Sequence, residues 1–270
     1  MTSAEEKLSK MKEWLSGLDG VLVAFSGGAD STLLLKVCCD VLGDRVLAVT
    51  ADSPVHPQGE TDGAVRLAEL LGVRHLVVKT AELRNPRFVA NPPDRCYHCK
   101  KELFRRLKEI AAEKGISAVV EGSNVDDLRD YRPGARAAEE SGVQRPLQEA
   151  GLTKAEIRSI SRDLGLPTWD KPSLACLASR IPYGTPITTD VLASIDAAEA
   201  FIRGLGVSRV RVRHHGQIAR IEVDPKDIET LTSETNRQRV INHLKGLGFV
   251  HVAVDLAGYR PGSLNEGVPR

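Results

Sequence analysis

The stretch Val21-Leu-Val-Ala-Phe25 runs without a break into Ser26-Gly27-Gly28-Ala29-Asp30-Ser31-Thr32, and this junction decides the fold. The apolar run has the length and β-branched content of a buried strand, and residues 31–39 continue as a leucine-rich segment of helical length. The glycine- and hydroxyl-rich turn therefore sits at a helix N-terminus. Gly27 and Gly28 carry no Cβ to block close backbone approach, so successive N–H groups can point at an anion while the helix dipole adds positive partial charge. Ser26, Ser31 and Thr32 add hydroxyls to this phosphate-binding pattern. Asp30 is out of place beside a bare phosphate. It fits if Mg²⁺ bridges its carboxylate to a pyrophosphate, because Mg²⁺ is usually held by one or two carboxylates plus substrate phosphates. The plainer reading is a strand-to-helix turn whose Ser and Asp only cap the helix. The turn lacks the G-x-x-x-x-G-K-S/T pattern, which argues against γ-phosphate transfer.

Outward from this turn, strand and helix alternate. Residues 45–51, 75–80 and 118–121 read as strands, and 60–71 and 100–114 as helices. The sum is a mostly parallel sheet with helices on both faces, whose ligands bind at the carboxyl ends of the strands. Ser26 to Ser31, Asp52-Ser53 and Gly122-Ser123-Asn124 all fall there. Asp52 is placed to contact adenosine. Thr153, with Glu156 after it, opens a helix over 153–164 through a capping box. Beyond Tyr183-Gly184-Thr185-Pro186 the pattern changes to a helix (189–205), two short strands around His214-His215-Gly216, a helix (235–247) and a last strand (249–254). Two domains are expected: an α/β domain over 1–185 and a small α+β domain over 186–270, ending in an irregular Gly- and Pro-rich tail.

At 270 residues and 41% hydrophobic, the chain can bury one substantial core and a smaller one. Its 37 basic and 36 acidic residues nearly cancel, so no global field favours nucleic acid, and a small substrate fits better. No apolar run reaches membrane-spanning length, and residues 1–18 form a charged amphipathic pattern without a signal-peptide core. A cytoplasmic location is expected. There the five cysteines are not a disulfide framework, which turns attention to metal or catalytic roles.

Cys38 and Cys39 lie on the apolar helix and are assigned to the core, where a free thiol behaves as a small hydrophobe. Arg95-Cys96-Tyr97-His98-Cys99-Lys100 is a C-x-x-C in a basic setting just before a helix, which favours thiolates. Cys176 also has cationic neighbours, in Lys171-Pro172-Ser173-Leu174-Ala175-Cys176-Leu177-Ala178-Ser179-Arg180. Ser179 and Arg180 share its loop. Arg211 and Arg213 alternate on a predicted strand, so their guanidinium groups face one side. These four residues fit the phosphate of a nucleotide substrate, because the arginine fork donates in pairs. A solvated strand face or a subunit contact accounts for Arg211 and Arg213 equally well. Asp126 and Asp127 fit Mg²⁺ beside Asp30, a contact with the nucleotide, or equally a helix cap. His214 and His215 point to opposite faces of a strand and cannot easily share one ion, so a hairpin turn before Gly216 is expected.

The string Ser-Gly-Gly-x-Asp-Ser after a hydrophobic strand resembles the pyrophosphatase loop of the N-type ATP pyrophosphatases, the superfamily of GMP synthetase, NAD synthetase and the tRNA thiolation enzymes. Together with Gly122-Ser123-Asn124-Val125-Asp126-Asp127, Asp130-Tyr131-Arg132-Pro133-Gly134 and Cys176 through Arg180-Ile-Pro-Tyr-Gly184, it looks like the LarE family over nearly the whole chain. That resemblance implies an ATP-dependent sulfur transferase of nickel-pincer nucleotide biosynthesis. Its substrate is pyridinium-3,5-biscarboxylic acid mononucleotide, whose carboxylate is adenylylated and then converted to a thiocarboxylate. It also implies ATP and Mg²⁺ as cofactors, a sulfide source, and a homo-oligomer such as a hexamer. Two sulfur sources are open. In one, Cys176 attacks and surrenders its own sulfur, leaving dehydroalanine. In the other, Cys96, Cys99 and Cys176 hold a 4Fe-4S cluster whose open iron carries an exchangeable hydrosulfide. The extra C-x-x-C, similar to that of cluster-dependent tRNA thiolation enzymes, favours the cluster. As residues alone, Cys96 and Cys99 also fit zinc with His98, a redox disulfide or no chemistry. A tRNA thiolation or other adenylating enzyme of the superfamily is the alternative to the LarE reading.

Overall fold

The structure is a computed structural model that describes residues 3–129, 132–172 and 175–260. Asp130 and Tyr131, Ser173 and Leu174, and the end of the tail (261–270), all part of the sequence expectations, lie outside the described residues. The chain forms two compact units. The first comprises Met1–Ser53, Gln58–Phe88 and Pro93–Leu174, and the second Pro54–Pro57, Val89–Pro92 and Ala175–Arg270. The division falls at Leu174 rather than near residue 185 because the Cys176 segment is tied to the two short insertions of its own unit. Leu177 N–H donates to the Val55 carbonyl, Ile187 N–H to the Val89 carbonyl and Gly184 N–H to the Asn91 carbonyl. The buried Asn91 amide donates in turn to the carbonyls of Ile181, Pro182 and Thr185.

In chain order the first unit carries α1 (Ala4–Ser16), β1 (Val21–Ala24), α2 (Ala29–Leu42), β2 (Val46–Asp52), α3 (Glu60–Leu70), β3 (Arg74–Lys79) and, at its margin, α4 (Pro86–Val89). It continues with α5 (Arg95–Glu113), β4 (Ala118–Glu121), α6 (Pro133–Glu140), α7 (Pro146–Glu149) and α8 (Lys154–Asp163). The sheet is parallel, in the order β3-β2-β1-β4. Because side chains alternate along a strand, Val21 and Val23 face one core with Leu15, Leu33, Leu34 and Ile157, while Leu22 faces another with Phe104, Leu107 and Ile110. Both faces are thus covered, which is why β1 reads as an unbroken apolar run. The strand order reverses between β1 and β4, and the crevice at such a point, outside the carboxyl ends, is where ligands bind in open parallel sheets.

The second unit holds α9 (Thr189–Arg203), β5 (Val210–His215), β6 (Ile218–Val223), α10 (Ile228–Thr232), α11 (Glu234–Gly246) and β7 (His251–Val254). β5 and β6 form an antiparallel hairpin and β7 runs parallel to β6. The expected turn after His215 is present, with Gly216 at φ +62°. Val212, Ile221, Ile202 and Leu244 centre its core.

Candidate active site

The turn between β1 and α2 is built by what its residues lack. Gly27 has φ +66°, and a Cβ there would lie 3.2 Å from the Ala64 backbone of α3. Gly28 caps α2 without a side-chain hydrogen bond, so the first-turn N–H groups of that helix are left for a ligand. Across the crevice, the first residue beyond β4 is Gly122, where a Cβ would fall 3.0 Å from Ser31 N. The turn is held from within: Ser31 Oγ donates to the Gly28 carbonyl and lies 3.0 Å from Ser26 Oγ. Thr32 Oγ1 is buried, with no hydrogen-bond partner among the described residues. Asp30 Oδ1 is buried in the same state, while Oδ2 accepts from Lys154 Nζ at 2.6 Å. An open, buried carboxylate oxygen beside a helix N-terminus fits a cation that bridges to phosphate oxygens.

Around Asp30 stands a mixed ring of charge. Asp127 Oδ2 accepts from Asn124 N–H and Oδ1 pairs with Arg132, so both of its oxygens are engaged. Burial pushes the Asp127 carboxyl up, and nearby Asp30 and Glu121 add to the rise against the hydrogen bond from Asn124 and the Arg132 charge. Asp126 follows its capping expectation, accepting from Lys154 N–H at the start of α8. Asp52 closes β2, and next to it buried Ser53 donates to buried Glu82. Two lysines reach this region, Lys154, which sequence reasoning missed, and Lys171, which it read only as a neighbour of Cys176. Lys154 pairs with Asp30, and Lys171 Nζ donates to the Gly27 carbonyl and to Glu60. The one signal for Lys154 was its place directly after the capping Thr153.

Cys96 and Cys99 belong to the start of α5 rather than to a loop before it, because the helix begins at Arg95. Spaced i, i+3, they share a helix face; Cys96 is exposed and Cys99 half-buried. Cys38 and Cys39 behave as core thiols: burial, then Cys39, raises Cys38 far above the ordinary thiol range, and burial pushes Cys39 up to about 11. Among the described residues no three His, Cys, Asp or Glu side chains converge to hold a metal ion.

In the second unit, Cys176 is half-buried and immediately precedes the short 3₁₀ turn Leu177–Arg180. Arg180 is fully buried against Glu199, whose Oε1 and Oε2 accept from its Nε and Nη2 at 2.8 and 2.9 Å. Its Nη1 donates to the carbonyls of Ala175 and Cys176 and to Ser179 Oγ. Glu199 also accepts from Val212 N–H on β5. Arg213, 5% exposed, pairs with Glu222 and donates to the Ser179 carbonyl. Arg211, 7% exposed, lies over the Tyr259 ring, and its guanidinium is pulled down by burial and then by Arg180. Arg211 and Arg213 therefore do not form a solvated face. The structure gathers Ser179, Arg180 and Arg213 on the Cys176 turn and adds Glu199 and Glu222, acids that the sequence reading passed over.

Comparison with known proteins agrees with this architecture. The NAD synthase family matches residues 5–88, which contain the glycine turn. An uncharacterised protein of Synechocystis is 44% identical over 97% of this chain and 98% of its own length. The pyridinium-3,5-bisthiocarboxylic acid mononucleotide synthase of Lactiplantibacillus plantarum is 41% identical over 98% of this chain and 96% of its own. An uncharacterised protein of Methanocaldococcus jannaschii is 29% identical over 89% and 90%. With a parallel sheet, a PP-loop at its switch point and end-to-end similarity to such a synthase, the chain belongs to the LarE family of PP-loop enzymes.

Proposed function

We propose that this chain is an ATP-dependent sulfur transferase acting on pyridinium-3,5-biscarboxylic acid mononucleotide. In the first half-reaction a carboxylate oxygen of the substrate attacks the α-phosphorus of ATP and pyrophosphate leaves. In the second, sulfur attacks the acyl carbon and AMP departs with the carboxylate oxygen. Activation is required because a bare carboxylate would have to expel oxide, whereas AMP is a competent leaving group. Ser26, Gly27, Gly28, Asp30, Ser31 and Thr32 hold the phosphates, Asp30 holds Mg²⁺, and Asp52, Gly122 and Asn124 border the nucleotide. Asp127, with both oxygens engaged, is the weaker Mg²⁺ ligand. Ser179, Arg211 and Arg213 are the groups offered to the substrate phosphate, and Arg180, fully buried on Glu199, positions the turn that carries Ser179.

Cys176 carries the sulfur step. The reading that adds Cys96 and Cys99 as partners in a 4Fe-4S cluster rests on the count of soft donors outside the core, one fewer than a closed four-ligand site uses, and not on their placement. That cluster would supply sulfur as hydrosulfide. The observation that supports the reading best is the full-length match to a named synthase. A homo-oligomer belongs to the same proposal.

The test is anaerobic purification, iron and sulfide assay, and intact mass before and after turnover with ATP and pyridinium-3,5-biscarboxylic acid mononucleotide. A cluster with unchanged protein mass over several turnovers supports catalysis. A chain lighter by the mass of one H₂S after a single turnover moves the source to Cys176 itself: its thiolate displaces AMP to form a thioester, and loss of the Cα proton then breaks Cβ–S, releasing the thiocarboxylate and leaving dehydroalanine. ATP conversion to AMP only in the presence of tRNA would overturn the substrate assignment.

A further inference from the structure

After β7 the chain turns back along β6 toward the start of β5, and that turn is tightly fixed. Asp255 N–H donates to the Ile221 carbonyl, Asp255 Oδ1 accepts from Ala257 N–H, and the Asp255 carbonyl accepts from Gly258 N–H. Arg220 pairs with Asp255 Oδ2 and fastens the turn to β6. Gly258 lies at φ +70°, and a Cβ there would fall 2.9 Å from the Val223 carbonyl oxygen and 3.0 Å from Pro225. Glycine alone lets the backbone come this close. Tyr259 N–H then donates to the same Val223 carbonyl at 2.8 Å.

What the turn delivers is an aromatic ring. The guanidinium groups of Arg209 and Arg211 both lie over the Tyr259 ring, each 5.3 Å from its centroid, which is within cation–π range. The two arginines are not equivalent. Arg209 is exposed and pairs with Asp224, whereas Arg211 is buried close to the charges of Arg180 and Arg213. Those two neighbours are held by carboxylates, Arg180 by Glu199 and Arg213 by Glu222. A carboxylate neutralises a guanidinium and takes its N–H donors. A ring face attracts the cation through its quadrupole and leaves the in-plane fork to other acceptors. Arg211 Nη1 donates to the Val210 carbonyl, which together with the ring sets the direction of the fork. An arginine gripped in this way keeps its positive charge for an incoming anion.

We infer that Tyr259 is a positioning residue of the substrate-phosphate site: its ring holds the Arg211 guanidinium in place and leaves that arginine's charge for the phosphate. The inference rests on reading Arg211 as a phosphate ligand of the mononucleotide, and adds the turn after β7 to that site.

The test uses the full-length protein and titration calorimetry with three probes: pyridinium-3,5-biscarboxylic acid mononucleotide, the corresponding nucleoside without its phosphate, and inorganic phosphate. Y259L should bind the mononucleotide and inorganic phosphate about tenfold more weakly than wild type, and the nucleoside equally well. Y259F keeps the ring and should stay within about twofold of wild type for all three probes. In an R211M background, Y259L should weaken mononucleotide binding no further, because the guanidinium that the ring positions is gone. Mononucleotide affinity unchanged in Y259L, an equal loss for the nucleoside, or a loss that persists undiminished in the R211M background would reduce the ring to packing and overturn the inference. Should Y259L fail to fold, phenylalanine carrying one, two and three ring fluorines at position 259 keeps the shape while draining the quadrupole. Mononucleotide affinity should then fall with each fluorine while nucleoside affinity stays level, and a flat series would refute the inference. Failure of the substrate assignment looks different: wild type would bind inorganic phosphate, with the same loss in Y259L, but not the mononucleotide.

Discussion

The PP-loop after β1 and the turn that carries Cys176 are both short connections with a hydroxyl at the centre, yet they are finished in opposite ways. The loop leaves its polar groups open: Gly28 gives α2 no side-chain cap, and Asp30 Oδ1 and Thr32 Oγ1 are buried without partners among the described residues. The turn spends its polar groups. The carbonyls of Ala175, Cys176 and Ser179 all accept from guanidinium groups, and the buried Arg180 is matched by a buried Glu199. A loop that must grip a ligand stores unsatisfied donors and acceptors, whereas a turn that must present one reactive atom is best made rigid by satisfying everything else.

The largest expected effect separates the two regions. Cys176→Ala should abolish thiocarboxylate formation while leaving ATP binding and pyrophosphate exchange intact, measured by product mass spectrometry beside isotope exchange. Wild-type sulfur transfer in that variant would refute a role for the cysteine under either sulfur source. The reverse separation comes from Gly122→Ala, whose methyl would press on Ser31 N at 3.0 Å. It should slow pyrophosphate exchange by about a hundredfold, since sub-ångström displacement of a reacting group is costly. Thiol labelling of Cys176 should stay at the wild-type rate in this variant; a change there would mean the two regions are not built independently.

The next effect falls on stability. Glu199→Ala leaves Arg180 buried without its carboxylate and should cost about 3–5 kcal/mol in urea unfolding. Glu199→Gln keeps the shape and one acceptor, and should lose less. If both variants unfold like wild type, the Cys176 turn does not depend on this pair and the contrast with the PP-loop weakens.

The same contrast explains what could be read from the chain. The PP-loop was legible because everything that makes it is local: an apolar run, two adjacent glycines and one acid within a single stretch. The sheet was legible through β1, whose Val21, Leu22 and Val23 are buried on both faces. The Cys176 turn was legible only as a cysteine near an arginine. Its anchors come from distant parts of the chain: Glu199 on α9, Arg213 and Glu222 on the hairpin, and Val55 from an insertion in the first unit's sequence. No spacing rule links those positions. The ion pairs of Arg180 and Arg213 were illegible for the same reason, since an arginine's partner is invisible until the chain folds. The start of α5 was missed differently. Asp94 is a good capping type, but its side chain makes no cap bond, and the Cys-Tyr-His run after Arg95 has little helix propensity.

The smallest effect tests the boundary between chemical and structural cysteines. Cys38 is fully buried in the main core and its thiol is held protonated by desolvation, so it has neither the access nor the charge state that sulfur chemistry needs. Cys38→Ala removes one buried sulfur from a packed helix face and should cost about 1 kcal/mol in unfolding, with sulfur transfer at the wild-type rate. Cys39, half-buried and with its thiol pushed up to about 11 by burial, should resist alkylation at neutral pH while exposed Cys96 reacts. Loss of sulfur transfer in Cys38→Ala without loss of fold would move a core thiol into the chemistry. It would also break the rule that, in this chain, reactive groups sit on loops and helix starts while the apolar helix after the PP-loop only supports them.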